Sequence, residues 1–86
     1  MRVYKFPLDT TVEMPRGAGV LSVGEQGNRL MVWAAVDEKE NRFVTRRFMI
    51  VGTGHDWPQT HSIKFIGTVH AFNGVLVMHV FEITDG

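Results

Sequence analysis

Four histidines, His55, His61, His70 and His79, are the residues of this 86-residue chain best suited to hold a metal or move a proton near neutral pH. If Asn73-Gly74 makes a two-residue hairpin turn, Thr68 faces His79 and His70 faces Val77. The two rings are then diagonal neighbours on one sheet face. A three-residue turn would instead oppose Gly67 to His79 and part them. A metal centre needs three or more ligands, and by parity Glu82 lies on the other face from His79. His70 and His79 are thus candidate ligands of an incomplete set, two surface histidines being the plainer reading. No metal or other cofactor is expected.

A second candidate is the run Gly52-Thr53-Gly54-His55. Successive backbone N–H groups in such a turn can cradle an anion, with His55 donating a further hydrogen bond. Arg46 and Arg42 would supply the charge, and the ligand would be a small anion such as a nucleotide. The run lacks the lysine and following helix of a phosphate-binding loop, so the plain alternative is a turn that needs positive φ.

Other constellations carry less. His55 and Asp56 with Ser22 or Ser62 supply the types of a triad, but no nucleophile-elbow motif surrounds either serine. Glu38 and Glu40 sit in a charged loop, where solvation explains them. Arg42, Arg46, Arg47 and Lys64 hold the concentrated positive charge, either a patch for an anionic partner or one side of ion pairs with Glu25, Asp37, Glu38 or Glu40. Catalysis is not expected. Trp57, beside Pro58 in an irregular stretch, can anchor a contact with a partner or equally cap the open end of a barrel. Val77, His79 and Phe81, on one face of the last strand, are the further interface candidates. Trp33, in mid-strand, is expected in the core.

These residues must be positioned by strands. β-branched and aromatic residues come in short runs separated by Gly, Pro, Asn and Asp, and no window carries a capped helical period. Strands are expected over Val3–Leu8, Ala18–Glu25, Arg29–Val36, Arg42–Val51, Ile63–Ala71 and Val75–Ile83, with a short extended piece at Val12–Met14. Gln26-Gly27-Asn28 and Asn73-Gly74 mark hairpins, and residues 55–61 are the place for a short helical turn. The expected fold is all-β: a small antiparallel meander of about six strands, closing into a sandwich or a partly open barrel.

Two strands are apolar on both sides. In Arg29–Val36, Leu30, Val32, Ala34 and Val36 share one face, and Met31, Trp33 and Ala35 the other. In Val75–Ile83, Val75, Val77, Phe81 and Ile83 oppose Leu76, Met78 and Val80. A half-exposed strand alternates apolar with polar, so the second face is covered either by the chain itself or by a second copy.

Composition narrows the function classes. The length suits one domain. Nine basic and nine acidic residues cancel, whereas a generic nucleic-acid binder carries a basic excess, so nucleic acid is not favoured. The absence of cysteine excludes disulfides and thiolate chemistry. No apolar run serves as a signal peptide or approaches the roughly 20 residues of a membrane span. A soluble, cytoplasmic protein is expected.

Taken in order, Tyr4-Lys5-Phe6-Pro7-Leu8, Met14-Pro15-Arg16-Gly17-Ala18, Leu21-Ser22-Val23, Trp33-Ala34, Val36-Asp37, Arg47-Phe48, Gly52-Thr53-Gly54-His55, Ile66-Gly67-Thr68-Val69 and His79-Val80-Phe81-Glu82 span nearly the whole chain. In these blocks the sequence resembles a family of small proteins of tailed bacteriophages and prophages, classed as a domain of unknown function. Relatives often carry a tryptophan just before the terminal His-Val-Phe-Glu, where this chain has Met78. The resemblance implies a phage origin, hence the cytoplasm of the host cell, with association with the virion left open. It brings no catalytic or binding residues. The resulting expectation is a non-enzymatic accessory protein that forms a homo-oligomer and binds a host or phage macromolecule. The alternatives are a binder of a small anion and, last, a metal-dependent hydrolase.

Overall fold

Two tight turns set the local order of the chain. Gly27 and Asn28 take φ of 59° and 65°, the pair of positive values that a type I′ hairpin turn requires. Phe72, Asn73 and Gly74 do the same at 53°, 58° and 82°, and the backbone N–H of Phe72 donates to Glu25 Oε2 at 3.1 Å. A positive φ is unusual for a bulky residue, so Phe72 sits in a strained conformation that this contact helps to hold. The structure, a computed structural model, describes residues 1–57 and 62–84.

Seven strands form among the described residues: β1 (Arg2–Pro7), β2 (Thr11–Pro15), β3 (Gly19–Gln26), β4 (Arg29–Val36), β5 (Phe43–Gly52), β6 (Ile63–Ala71) and β7 (Leu76–Ile83). They build two antiparallel sheets, ordered β1-β4-β3 and β2-β5-β7-β6, that pack as a sandwich and do not close into a barrel. The all-β antiparallel fold is the one the sequence indicates. The expected short piece at Val12–Met14 is a full strand. The order is more crossed than a plain meander: only β3–β4 and β6–β7 join neighbours in sequence within a hairpin, while β1 crosses to β4, β2 to β5 and β5 to β7. The expected helical turn is not seen at residues 55–57, which carry no regular structure; residues 58–61 lie outside the described part. None of the described residues forms a helix long and apolar enough to cross a membrane.

Side-chain parity decides what each sheet offers the other. The core joins Val12, Met14, Phe48, Val69, Ala71 and Val80 of the larger sheet to Val32, Ala34 and Val36 of the smaller, with Ala18 at the corner. Trp33, expected there, is instead on the outer side of β4, one position out of phase with Val32 and Ala34. It pairs with Lys5 and Ser22 and lies over Gly24, where an added Cβ would come within 3.3 Å of Trp33 Cζ3. Both faces of β4 are apolar, so the alternation alone does not say which turns inward.

At the β3–β6 edge the sheets come closest. The β6–β7 register slips by one residue between Phe65 and Gly67, a bulge. A Cβ on Gly67 would stand 3.2 Å from Val23 Cγ2, a tight approach to which the valine would have to yield by a few tenths of an ångström.

Candidate functional site

The outer face of the four-stranded sheet is built from cross-strand rows. Arg47, Ile83 and Ile63 form one, Met49, Phe81 and Phe65 the next, and Val51, His79 and Thr68 the third, with Val77 and His70 beyond. Aromatic residues concentrate in the middle row. Phe81 is only 6% exposed although it points away from the core, because the chain after β5 returns over it. Trp57 meets the Phe81 ring edge-on, centroids 4.5 Å apart at 65°, and Phe65 tilts against it at 5.4 Å. Both arrangements suit aromatic quadrupoles. Trp57 is 37% and Phe65 55% exposed, which leaves an aromatic patch facing water over a buried ring.

The four residues read from the sequence as an interface, Trp57, Val77, His79 and Phe81, therefore belong to one face. Phe81 is its floor, and Phe65, not Phe81, is the ring of that row exposed at the surface. Sequence reasoning missed Phe65: its alignment with Phe81 depends on the bulge, and no local signal gives that.

In the third row the His79 ring is fully engaged. Nε2 is 2.7 Å from Thr53 Oγ1 and Nδ1 is 3.0 Å from Thr68 Oγ1. A neutral imidazole can donate at one nitrogen and accept at the other, and each hydroxyl can take the complementary role. The ring thus ties the turn after β5 to β6. His70 faces Val77 as the two-residue turn requires, diagonal to His79 and exposed, but both His79 nitrogens already have partners. Among the described residues no three His, Cys, Asp or Glu side chains cluster as a metal site would need. His61 lies outside the described residues.

The candidate anion residues fall at opposite ends of β5. Gly52, Thr53 and His55 line an open, mainly apolar cleft of about 510 Å³ with Ile50, Leu76 and Met78. Gly54 takes φ of 86°, which only glycine adopts at ease, and the His55 N–H is used internally, donating to Gly52 O at 3.1 Å. Arg46 stands six positions earlier on the same strand, about 20 Å away at the rise of a strand. Arg42 precedes β5 and turns back on Glu40. The constellation of Gly52, Thr53, Gly54, His55, Arg46 and Arg42 therefore does not converge. Glu40 accepts from the backbone N–H and Nε of Arg42 at 3.0 and 3.2 Å. Those hydrogen bonds, the backbone one first, hold its carboxyl below the usual glutamate range.

Arg46 has a different part. It lies on the inner face, opposite Val12, and crosses between the layers. Nε donates to Glu82 Oε2 at 2.6 Å, and one Nη donates to Ala18 O, also at 2.6 Å. Glu82 is the one buried charged side chain among the described residues. A buried carboxylate is tolerated only when paired and hydrogen-bonded, as here. The parity of Glu82 could be read from sequence, but its partner could not, because β5 and β7 are not neighbours along the chain. Around the end of β7, Arg46 and Glu82 join Thr45, Arg47, Lys64 and Thr84 in a second open cleft, of about 420 Å³.

Fold and surface together define a small antiparallel β-sandwich with an aromatic outer face and two clefts at the ends of its longest strand. A family model, "Domain of unknown function (DUF7352)", matches residues 1–86, and the chain belongs to that family. No curated protein and no solved structure matches it significantly.

Proposed function

We propose that the protein is a non-enzymatic binding module that works as a homo-oligomer, with the outer face of the four-stranded sheet as the surface that joins copies. The observation that carries this reading is the aromatic patch: Phe65 and Trp57, partly exposed, over the buried ring of Phe81. Large rigid aromatics anchored on a packed base are the groups that contribute most when an interface excludes water. The zero net charge of the chain puts no long-range repulsion between copies. The likeness to small phage and prophage proteins supports a setting in the infected cell, where the assembled module would engage a host or phage macromolecule.

Sedimentation equilibrium over a range of concentrations tests the assembly. An oligomer that dissociates when Phe65 is replaced by Ser supports it. A wild-type protein that stays monomeric at every concentration sinks it. Turnover by the purified protein that is lost with Thr53→Val would overturn the non-enzymatic part, because among the described residues Thr53 holds the hydroxyl nearest a histidine nitrogen.

A further inference from the structure

β5 outruns its neighbour. β2 accompanies it only from Phe43 to Arg47, and beyond Thr10 the chain leaves for the other sheet, where Leu8 N–H donates to Leu30 O. The backbone of β5 points alternately to its two sides. Phe48 N–H donates to Thr10 O at 2.8 Å on the β2 side, and Thr53 N–H to Val77 O at 3.3 Å on the β7 side. By this alternation Ile50 and Gly52 turn their backbone groups to the side that β2 has left. Gly52 O accepts from His55 N–H, but Ile50 N–H, Ile50 O and Gly52 N–H have no partner among the described residues. Such a row is a template for another strand, and proteins blunt it with proline, charge or a bulge. The other edges are blunted. Pro7 and Pro15 stand at outward-facing positions of β1 and β2, since the N–H groups of Leu8 and Arg16 beside them face the sheet. β3 and β6 carry bulges. Met49 to Gly52 has none of these devices.

The bare stretch borders the apolar cleft of about 510 Å³. Ile50 lies on the inner side of the sheet, opposite Val80, and lines the cleft with Leu76 and Met78. No carboxylate, ammonium or guanidinium group is in the lining. Leu76 is 46% and Val75 80% exposed, so apolar surface stands open beside open backbone. We infer that this half-edge and its cleft bind an extended, uncharged, apolar segment of a partner polypeptide, added as a strand beside β5. A residue paired with Ile50 exchanges hydrogen bonds with it and lays its side chain on the inner face, against Met78. Backbone donors and acceptors at this spacing select a polypeptide over a small apolar molecule, which leaves them unpaired. The inference rests on the reading of the protein as a binding module and names the surface at which a partner is engaged. The cleft also touches Val77 of the outer face, beyond the His79 row and away from Phe65.

The test is an NMR titration of the full chain with a short acetylated and amidated peptide of alternating valine and threonine. Saturable shifts of the Ile50 and Gly52 amides and of the Met78 methyl group are expected, larger than those of Met49 and Val51, whose amides face β7. Methylating the valine nitrogens of the peptide, which face β5 when the valines enter the cleft, should weaken binding by about fivefold for each hydrogen bond lost. Methylating the threonine nitrogens, which face away, should not. Leu76→Ser, at an exposed position, should weaken binding too. Phe65→Ser should leave it unchanged, so that loss of assembly and loss of docking are read separately. No saturable shift at Ile50 and Gly52, equal binding of the peptide with methylated valines, or indifference to Leu76→Ser would overturn the inference. Shifts at Ile50 and Gly52 that follow protein concentration without peptide would give the edge to a second copy and overturn it as well.

Discussion

The two outer faces of the sandwich solve one problem in different ways. Each sheet has a central strand that is apolar on both sides, and each outer face carries a tryptophan. On the three-stranded sheet Trp33 lies over Gly24, with Lys5 and Ser22 beside it, and Met31 in the next pair is buried. A missing side chain makes room for a large one, and the middle of the face covers itself, although Val3 beside it stays open to water. On the four-stranded sheet Trp57 comes from outside the sheet to cover Phe81, but Phe65 beside it stays open to water. A strand without a polar side is thus no proof of a missing partner. The informative residue is the aromatic that its own chain leaves uncovered.

The largest expected effect comes from removing the floor of the aromatic face. Phe81→Ala should cost about 3 kcal/mol, the usual penalty for truncating a buried phenylalanine, measured by urea denaturation. In a Trp33→Phe background the Trp57 emission should shift to the red. A cost no larger than that of a surface substitution would mean that Trp57 does not seal the ring.

The matching change on the other face is Gly24→Val. Valine suits a strand better than glycine, so propensity alone predicts a gain. The 3.3 Å approach to Trp33 predicts instead a loss of about 2 kcal/mol from overpacking, with Trp33 turned towards water. A more stable variant would show that Trp33 is not needed as a cover. Phe65→Ser should cost only about 1 kcal/mol, since one aromatic contact is lost from a half-open position. Its main effect should be loss of self-association by sedimentation, whereas Val3→Ser on the opposite face should change nothing. Equal effects of the two would erase the distinction between the faces.

The smallest effect belongs to Glu40, at the corner between the sheets. Its carboxyl is held low by Arg42, so its contribution is present above the unfolded-state glutamate pKa and is lost as the pH falls through the lower folded value. Wild type and Glu40→Gln should differ slightly near neutrality and converge in acid, as acid denaturation followed by circular dichroism would show. A gap that widens in acid would contradict the sign.

Local features were legible in the sequence and crossed ones were not. Arg29–Val36 and Ile63–Ala71 form strands with the expected ends, because Gly27-Asn28 and Asn73-Gly74 carry the turn chemistry beside them. The facing of Thr68 with His79 followed from that turn as well. The placement of Trp33 failed because hydrophobic alternation has no sign when both faces are apolar. The proposed grouping of Arg46 with the glycine-rich turn failed because residues on one strand move apart by a strand's rise at each step. The pairing of Arg46 with Glu82 and the cleft around them depend on β5 meeting β7, a choice made by packing of whole strands.

That crossed order has a consequence for how the chain reaches its native state. β1 has to wait for β4, and β2 for β5, since Arg2 pairs with Val36 and Thr11 with Arg47. Closing such long loops costs entropy before any contact returns it, whereas the two hairpins close locally and fast. The amino-terminal strands should therefore be the last to gain protection in pulsed hydrogen exchange during refolding, after β3–β4 and β6–β7. During synthesis β1 and β2 emerge before β4 and β5, the strands they pair with, and so remain unpaired until those follow. Early protection of β1 would refute this sequence of events.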